Sequence, residues 1–138
     1  VNYGDTGADG TLELGGDNMA ITAGNYYVEF NENDLTITVT AADPVWGIVG
    51  NATLNGWGDA PDVKMSPDPC NDDVYLVYGV TLADGEMKFR ADDDWGVNYG
   101  DTGADGTLDL GGDNIAVSAG TYNIMLDIVN NTYSIEAQ

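Results

Sequence analysis

The residues whose types could do chemistry are three tryptophans, three cations and a set of acidic glycine loops. Trp57 lies in Asn55-Gly56-Trp57-Gly58-Asp59, a loop whose small neighbours leave an indole room to face solvent. Trp95 follows Asp92-Asp93-Asp94, and Lys88 and Arg90 alternate with Phe89. The remaining cation is Lys64. An indole or phenol stacks on the apolar C–H face of a sugar ring, and cationic donors reach its hydroxyls. Trp57, Trp95, Lys88, Arg90, Tyr75 and Asn98 are therefore candidate glycan contacts. Each has a plainer reading. Trp57 serves equally as a plug in a core, Trp95 as scaffold, Tyr75 as packing and Asn98 as a turn tie, while Lys88 and Arg90 could pair with the acid-rich surface. Trp46 opens an apolar run and reads as core.

Asp101-Thr102-Gly103-Ala104-Asp105-Gly106-Thr107-Leu108-Asp109 resembles the start of a calcium-binding EF-hand loop, with oxygen ligands at positions one, five and nine and glycine at six. Gly103 removes the third-position ligand, and Gly112 stands where the bidentate glutamate belongs. Asp101, Asp105 and Asp109 remain candidate calcium ligands, although Asp/Gly pairs also supply turns that need positive φ. No other cofactor is expected. Asp5, Asp9 and Glu13 occupy the same places in an earlier copy.

The chain has no histidine, which removes the usual general base and the usual zinc ligand. Its one cysteine, Cys70, sits among Pro69, Asn71, Asp72 and Asp73, whose charges disfavour a thiolate. Acidic side chains are plentiful, but abundance on a solvated surface carries no positional information for glycoside hydrolysis. No catalytic residue is assigned, and the chain is not expected to be an enzyme.

Twenty-four acidic residues against three basic ones give a formal charge of −21 over 138 residues. Nucleic acid and anionic membrane surfaces are repelled by such a chain. No apolar run approaches the roughly twenty residues that span a bilayer. A soluble piece or processed form is expected, with any export signal or lipid anchor upstream of Val1.

Positioning falls to a repeat. VNYGDTGADGTLELGGDNMAITAGNY at 1–26 returns as VNYGDTGADGTLDLGGDNIAVSAGTY at 97–122, with 21 of 26 positions identical. In both copies an apolar stretch follows, turns through Asn/Asp and resumes as Leu35/Ile37/Val39 or Tyr133/Ile135, which predicts a β-hairpin. The unrepeated stretch predicts strands at Trp46–Val49, Val74–Leu82 and Glu86–Arg90, with Leu76, Tyr78, Val80 and Leu82 on one face. Nineteen glycines argue against helices. The expected fold is all-β, an antiparallel β-sandwich of carbohydrate-binding-module or immunoglobulin-like type in tandem repeat. Residues 1–40 then form the C-terminal half of a preceding repeat and 41–138 a complete module, with the joint at Ala41-Ala42-Asp43-Pro44 and the second domain starting near Val45. The leftover half should pack on the complete domain or on a neighbouring chain, which makes self-association through 1–40 an expectation.

The ordered set Trp46-Gly47-Ile48-Val49-Gly50, Gly56-Trp57, Leu82-Ala83-Asp84-Gly85-Glu86-Met87-Lys88-Phe89-Arg90, Trp95-Gly96-Val97-Asn98-Tyr99-Gly100, Gly111-Gly112-Asp113-Asn114-Ile115 and Ala119-Gly120-Thr121-Tyr122 resembles the C-terminal carbohydrate-binding modules of SusE/SusF-like outer-membrane lipoproteins. That resemblance covers 45–136, with 1–40 as the end of a preceding module. It implies a β-sandwich that holds starch-type glucan, as polysaccharide or oligosaccharide, at the bacterial cell surface without hydrolysing it. Binding would use an aromatic pair with Lys, Arg or Asn donors, and the location would be extracellular and outer-membrane associated. The alternative from the repeats themselves is a structural protein of a filament, surface layer or matrix, with calcium as an optional stabiliser.

Overall fold

The computed structural model describes residues 1–22, 24–58 and 61–138, and every regular element among them is a strand. Ala23, Asp59 and Ala60 lie outside the described residues, so the Trp57 loop is seen as far as Gly58. The chain divides into two compact units, Val1–Pro44 and Val45–Gln138. Unit 1 contains β1 (Tyr3–Gly4), β2 (Glu13–Leu14), β3 (Tyr26–Asn31) and β4 (Thr36–Ala41). β4 pairs through Ala41, opposite Tyr26, so the strand runs one residue past the expected boundary at 40.

Unit 2 contains β5 (Trp46–Val49), β6 (Val63–Lys64), β7 (Ser66–Asp68), β8 (Asn71–Leu82), β9 (Gly85–Ala91), β10 (Asn98–Gly100), β11 (Asp109–Leu110), β12 (Ile115–Val117), β13 (Gly120–Asp127) and β14 (Thr132–Ala137). One sheet runs β11-β10-β9-β5-β6, with β12 also on β9; the other runs β14-β13-β8-β7. All pairings are antiparallel. Alternation drives one face of each sheet inward. Trp46, Ile48, Met87 and Phe89 from the first sheet meet Tyr75, Leu82, Ile124 and Leu126 from the second in one core. Trp46 lies 6.1 Å from the Tyr75 ring and 5.7 Å from that of Tyr99, and so sits at the centre of an aromatic cluster.

One expectation about faces is corrected. Leu76, Tyr78, Val80 and Leu82 do not share a side. Gly79 takes a φ of +65° and the β8–β13 register slips at the same place, between Tyr122 and Ile124. A bulge of this kind inserts one residue and inverts the alternation beyond it. The inward side chains are therefore Tyr75 and Val77 before the bulge and Val80 and Leu82 after it, while Tyr78 is 70% exposed.

The recurring string folds alike in both places. Tyr3 and Gly4 pair with Leu14 and Glu13, as Tyr99 and Gly100 pair with Leu110 and Asp109. Asp5 accepts the N–H groups of Asp9 and Gly10 at 3.0 and 2.9 Å, and Asp101 those of Asp105 and Gly106 at the same distances. The β3–β4 pairing of Tyr26 with Ala41 matches that of Tyr122 with Ala137.

Candidate functional site

The face of β9 opposite the core carries Lys88 and Arg90, and there the chain builds its candidate site. Arg90 is 1% exposed. Its Nε and Nη2 donate to Asp62 Oδ2 and Oδ1 at 2.7 and 2.8 Å, a two-point pairing that only a planar guanidinium makes. Nη2 also donates to the Gly58 carbonyl at 3.2 Å, tying the pair to the Trp57 loop. Gly47 lies opposite Arg90 in β5, and a Cβ there would come within 2.5 Å of the Asp62 Cβ. Glycine at 47 is what admits Asp62 beneath the guanidinium.

The Arg90 Cζ stands 4.7 Å from the Trp95 ring centroid, a cation–π contact on one face of the indole. Trp95 remains 43% exposed, and Trp57, half-buried, lies 6.2 Å away ring to ring with planes inclined by 31°. Asn98 donates to the Trp95 carbonyl at 2.9 Å and so ties the turn that carries the indole. The two candidate tryptophans thus come together, with Arg90 and Asn98 holding one of them.

The acidic triplet before Trp95 is structural. Asp92 accepts the Val45 N–H at 2.9 Å, Asp93 the Asp62 N–H at 2.8 Å and Asp94 the Gly96 N–H at 2.7 Å. Asp92 and Asp93 both take φ +57°, a left-handed conformation that aspartate tolerates better than most residues. Asp93 also pairs with Lys64 at 2.5 Å. Burial pushes the Asp93 carboxyl up, but Lys64, the Asp62 N–H and Arg90 outweigh it and hold it below the usual carboxylate range. A continuous run of charge from Lys64 through Asp93, Asp62 and Arg90 therefore ends under Trp95. Asp62 and Asp93 escaped the sequence reading because any of twenty-four acids could have paired with so few cations.

Lys88 is 8% exposed and lies opposite Val49 on β5. Desolvation lowers its pKa, against an upward pull from the Asp113 carboxylate. Tyr75 is not brought to the site. It is 5% exposed in the core, on the other sheet, because the Gly79 bulge sets its side of β8 inward. The expectation that Tyr75 contacts a ligand is corrected accordingly.

The glycine loops spend their carboxylates on backbone. Asp101 Oδ2 accepts both the Gly106 N–H and the Tyr133 hydroxyl, the latter at 2.8 Å. Burial raises the Asp101 carboxyl, and these bonds with that of Asp105 bring it below its ordinary value. Burial, together with the Asp101 charge, pushes the Tyr133 phenol up to about 12. Asp105 accepts from Thr107 N–H and Asp109 from Thr102 N–H, each at 2.9 Å. Among the described residues no group of three or more acidic or thiol side chains is placed to share a metal. Thermal melts in calcium and in chelator are expected to coincide. A rise of many degrees with calcium would contradict this, since a ligand bound by the native state alone raises apparent stability.

No protein-family model matches the chain, and no curated protein matches it. No helix among the described residues is long and apolar enough to cross a membrane.

Proposed function

We propose that this chain is a non-catalytic glycan-binding module, with starch-type α-glucan its preferred ligand, acting at the bacterial cell surface. One observation supports the reading above the others: Trp57 and Trp95 stand side by side, and the buried Arg90–Asp62 pair backs one face of the Trp95 ring. A backed indole is ordered before a sugar arrives, so less side-chain freedom is lost on binding. The resemblance carried by Trp46 to Tyr122 points to the same ligand class.

Substituting Trp57 by alanine is expected to weaken maltoheptaose binding by about 1–3 kcal/mol, roughly five- to 150-fold in Kd, while the melting temperature moves little. Titration calorimetry beside a thermal melt reads both. An unchanged Kd would count against the platform, and an unfolded variant would make Trp57 a structural plug.

The competing reading is a structural repeat protein of a filament, surface layer or matrix. It draws on the recurrence of 1–26 at 97–122 and expects no sugar to bind.

A further inference from the structure

The two copies of the repeated half have different surroundings. In unit 2, Ile124 and Leu126 of β13 are 1% and 0% exposed; Val28 and Phe30, which hold the same places in β3, are 58% and 51% exposed. The cause is pairing. β13 lies between β14 and β8, with Ile124 opposite Val77 and Leu126 opposite Tyr75, whereas among the described residues β3 pairs with β4 alone. The same holds toward the facing sheet. Ile115 pairs with Met87 of β9, and the Tyr133 ring lies 5.9 Å from that of Phe89. Their counterparts Met19 and Ile37, with Ile21 and Val39, line an open cleft of about 640 Å³. That cleft lies where, by correspondence with unit 2, Met87 and Phe89 would stand.

We propose that residues 1–44 form an acceptor for strand complementation, whose occupant is a half-module with the strand pattern of residues 45–96. It would add a β8-like strand to the free edge of β3 and fill the cleft with β9-like apolar side chains. Both the open edge and the open cleft match this occupant. Residues 1–26 repeat 97–122 at 21 of 26 positions, the hairpins that follow pair in the same register, and 97–138 is completed by 45–96. An extended segment gains main-chain hydrogen bonds at the edge, and its alternate side chains select the register.

In unit 2, Thr81 pairs with Thr121 and their hydroxyls lie 3.5 Å apart. Asn25 occupies the Thr121 place in unit 1. The test uses the full chain with Asn25→Cys and Cys70→Ser, refolded with a polypeptide of residues 45–96 carrying Thr81→Cys and Cys70→Ser, then mildly oxidised. Antiparallel partners fall within disulfide reach only in the right register. The expected result is a one-to-one disulfide adduct as the main product, reduced to background when the full chain carries Glu29→Cys instead. Amide exchange across Tyr26–Asn31 should slow in the same mixture. Adduct no more abundant than with Glu29→Cys, or β3 exchange unchanged by the added polypeptide, would overturn the proposal. Neither outcome depends on sugar binding.

Discussion

Replacing Arg90 by methionine is expected to destabilise unit 2 by about 3–5 kcal/mol, far more than the loss of a surface ion pair. Methionine keeps much of the apolar stem and removes the guanidinium, so the Asp62 carboxylate, its side chain 1% exposed, is left buried without its two strongest donors. Burial of an unpaired charge is what makes the cost large. The double replacement Arg90→Met with Asp62→Leu should recover most of the loss, because it removes the stranded charge as well. Denaturant titration of the unaltered chain and the two variants reads these differences from the midpoints. A cost below about 1 kcal/mol for Arg90→Met would place the pair in the surface class. The single variant should also bind glycan more weakly than its folded fraction explains, since Trp95 loses the cation behind its ring.

Alanine at position 100 is expected to cost about 3 kcal/mol, the upper part of the usual range for overpacking. A Cβ on Gly100 would fall 2.0 Å from the Asp113 carbonyl oxygen, which also accepts the Asp101 N–H at 2.9 Å. The obstacle is backbone, so a rotamer change gives no relief. Gly4 makes the same approach to the Asp17 carbonyl, at 2.2 Å. Gly4→Ala should therefore distort the same turn in unit 1 while leaving the unfolding of unit 2 nearly unchanged. Equal loss of unit 2 stability from both variants would contradict the division after Pro44.

The strands and hairpins were legible because their signals are local: apolar alternation, then Asn or Asp at a turn. The Gly79 bulge was not. A glycine within an apolar strand suits both regular pairing and a bulge, and only the partner strand decides between them. That one residue sets Tyr75 inward, so of its two readings, glycan contact and packing, the fold gives it the second. Trp57 and Trp95 were legible as candidates from their glycine and aspartate neighbours, but their adjacency was not, since 38 positions (95 − 57) separate them. The roles of Asp92, Asp93 and Asp94 were not legible either. In the fold each carboxylate accepts a specific backbone N–H, a role that composition cannot distinguish from solubility.

Paired indoles that hold polysaccharide should slow the chain in a gel that contains it, and affinity electrophoresis reads that retardation. Native gels containing amylopectin, pullulan, xylan or no glycan would be run with the unaltered chain and with Trp57→Ala and Trp95→Ala. Retardation by the two α-glucans alone, reduced in both variants, is the predicted result. Uniform mobility of the unaltered chain in all four gels would contradict the account and shift the assignment to the structural repeat.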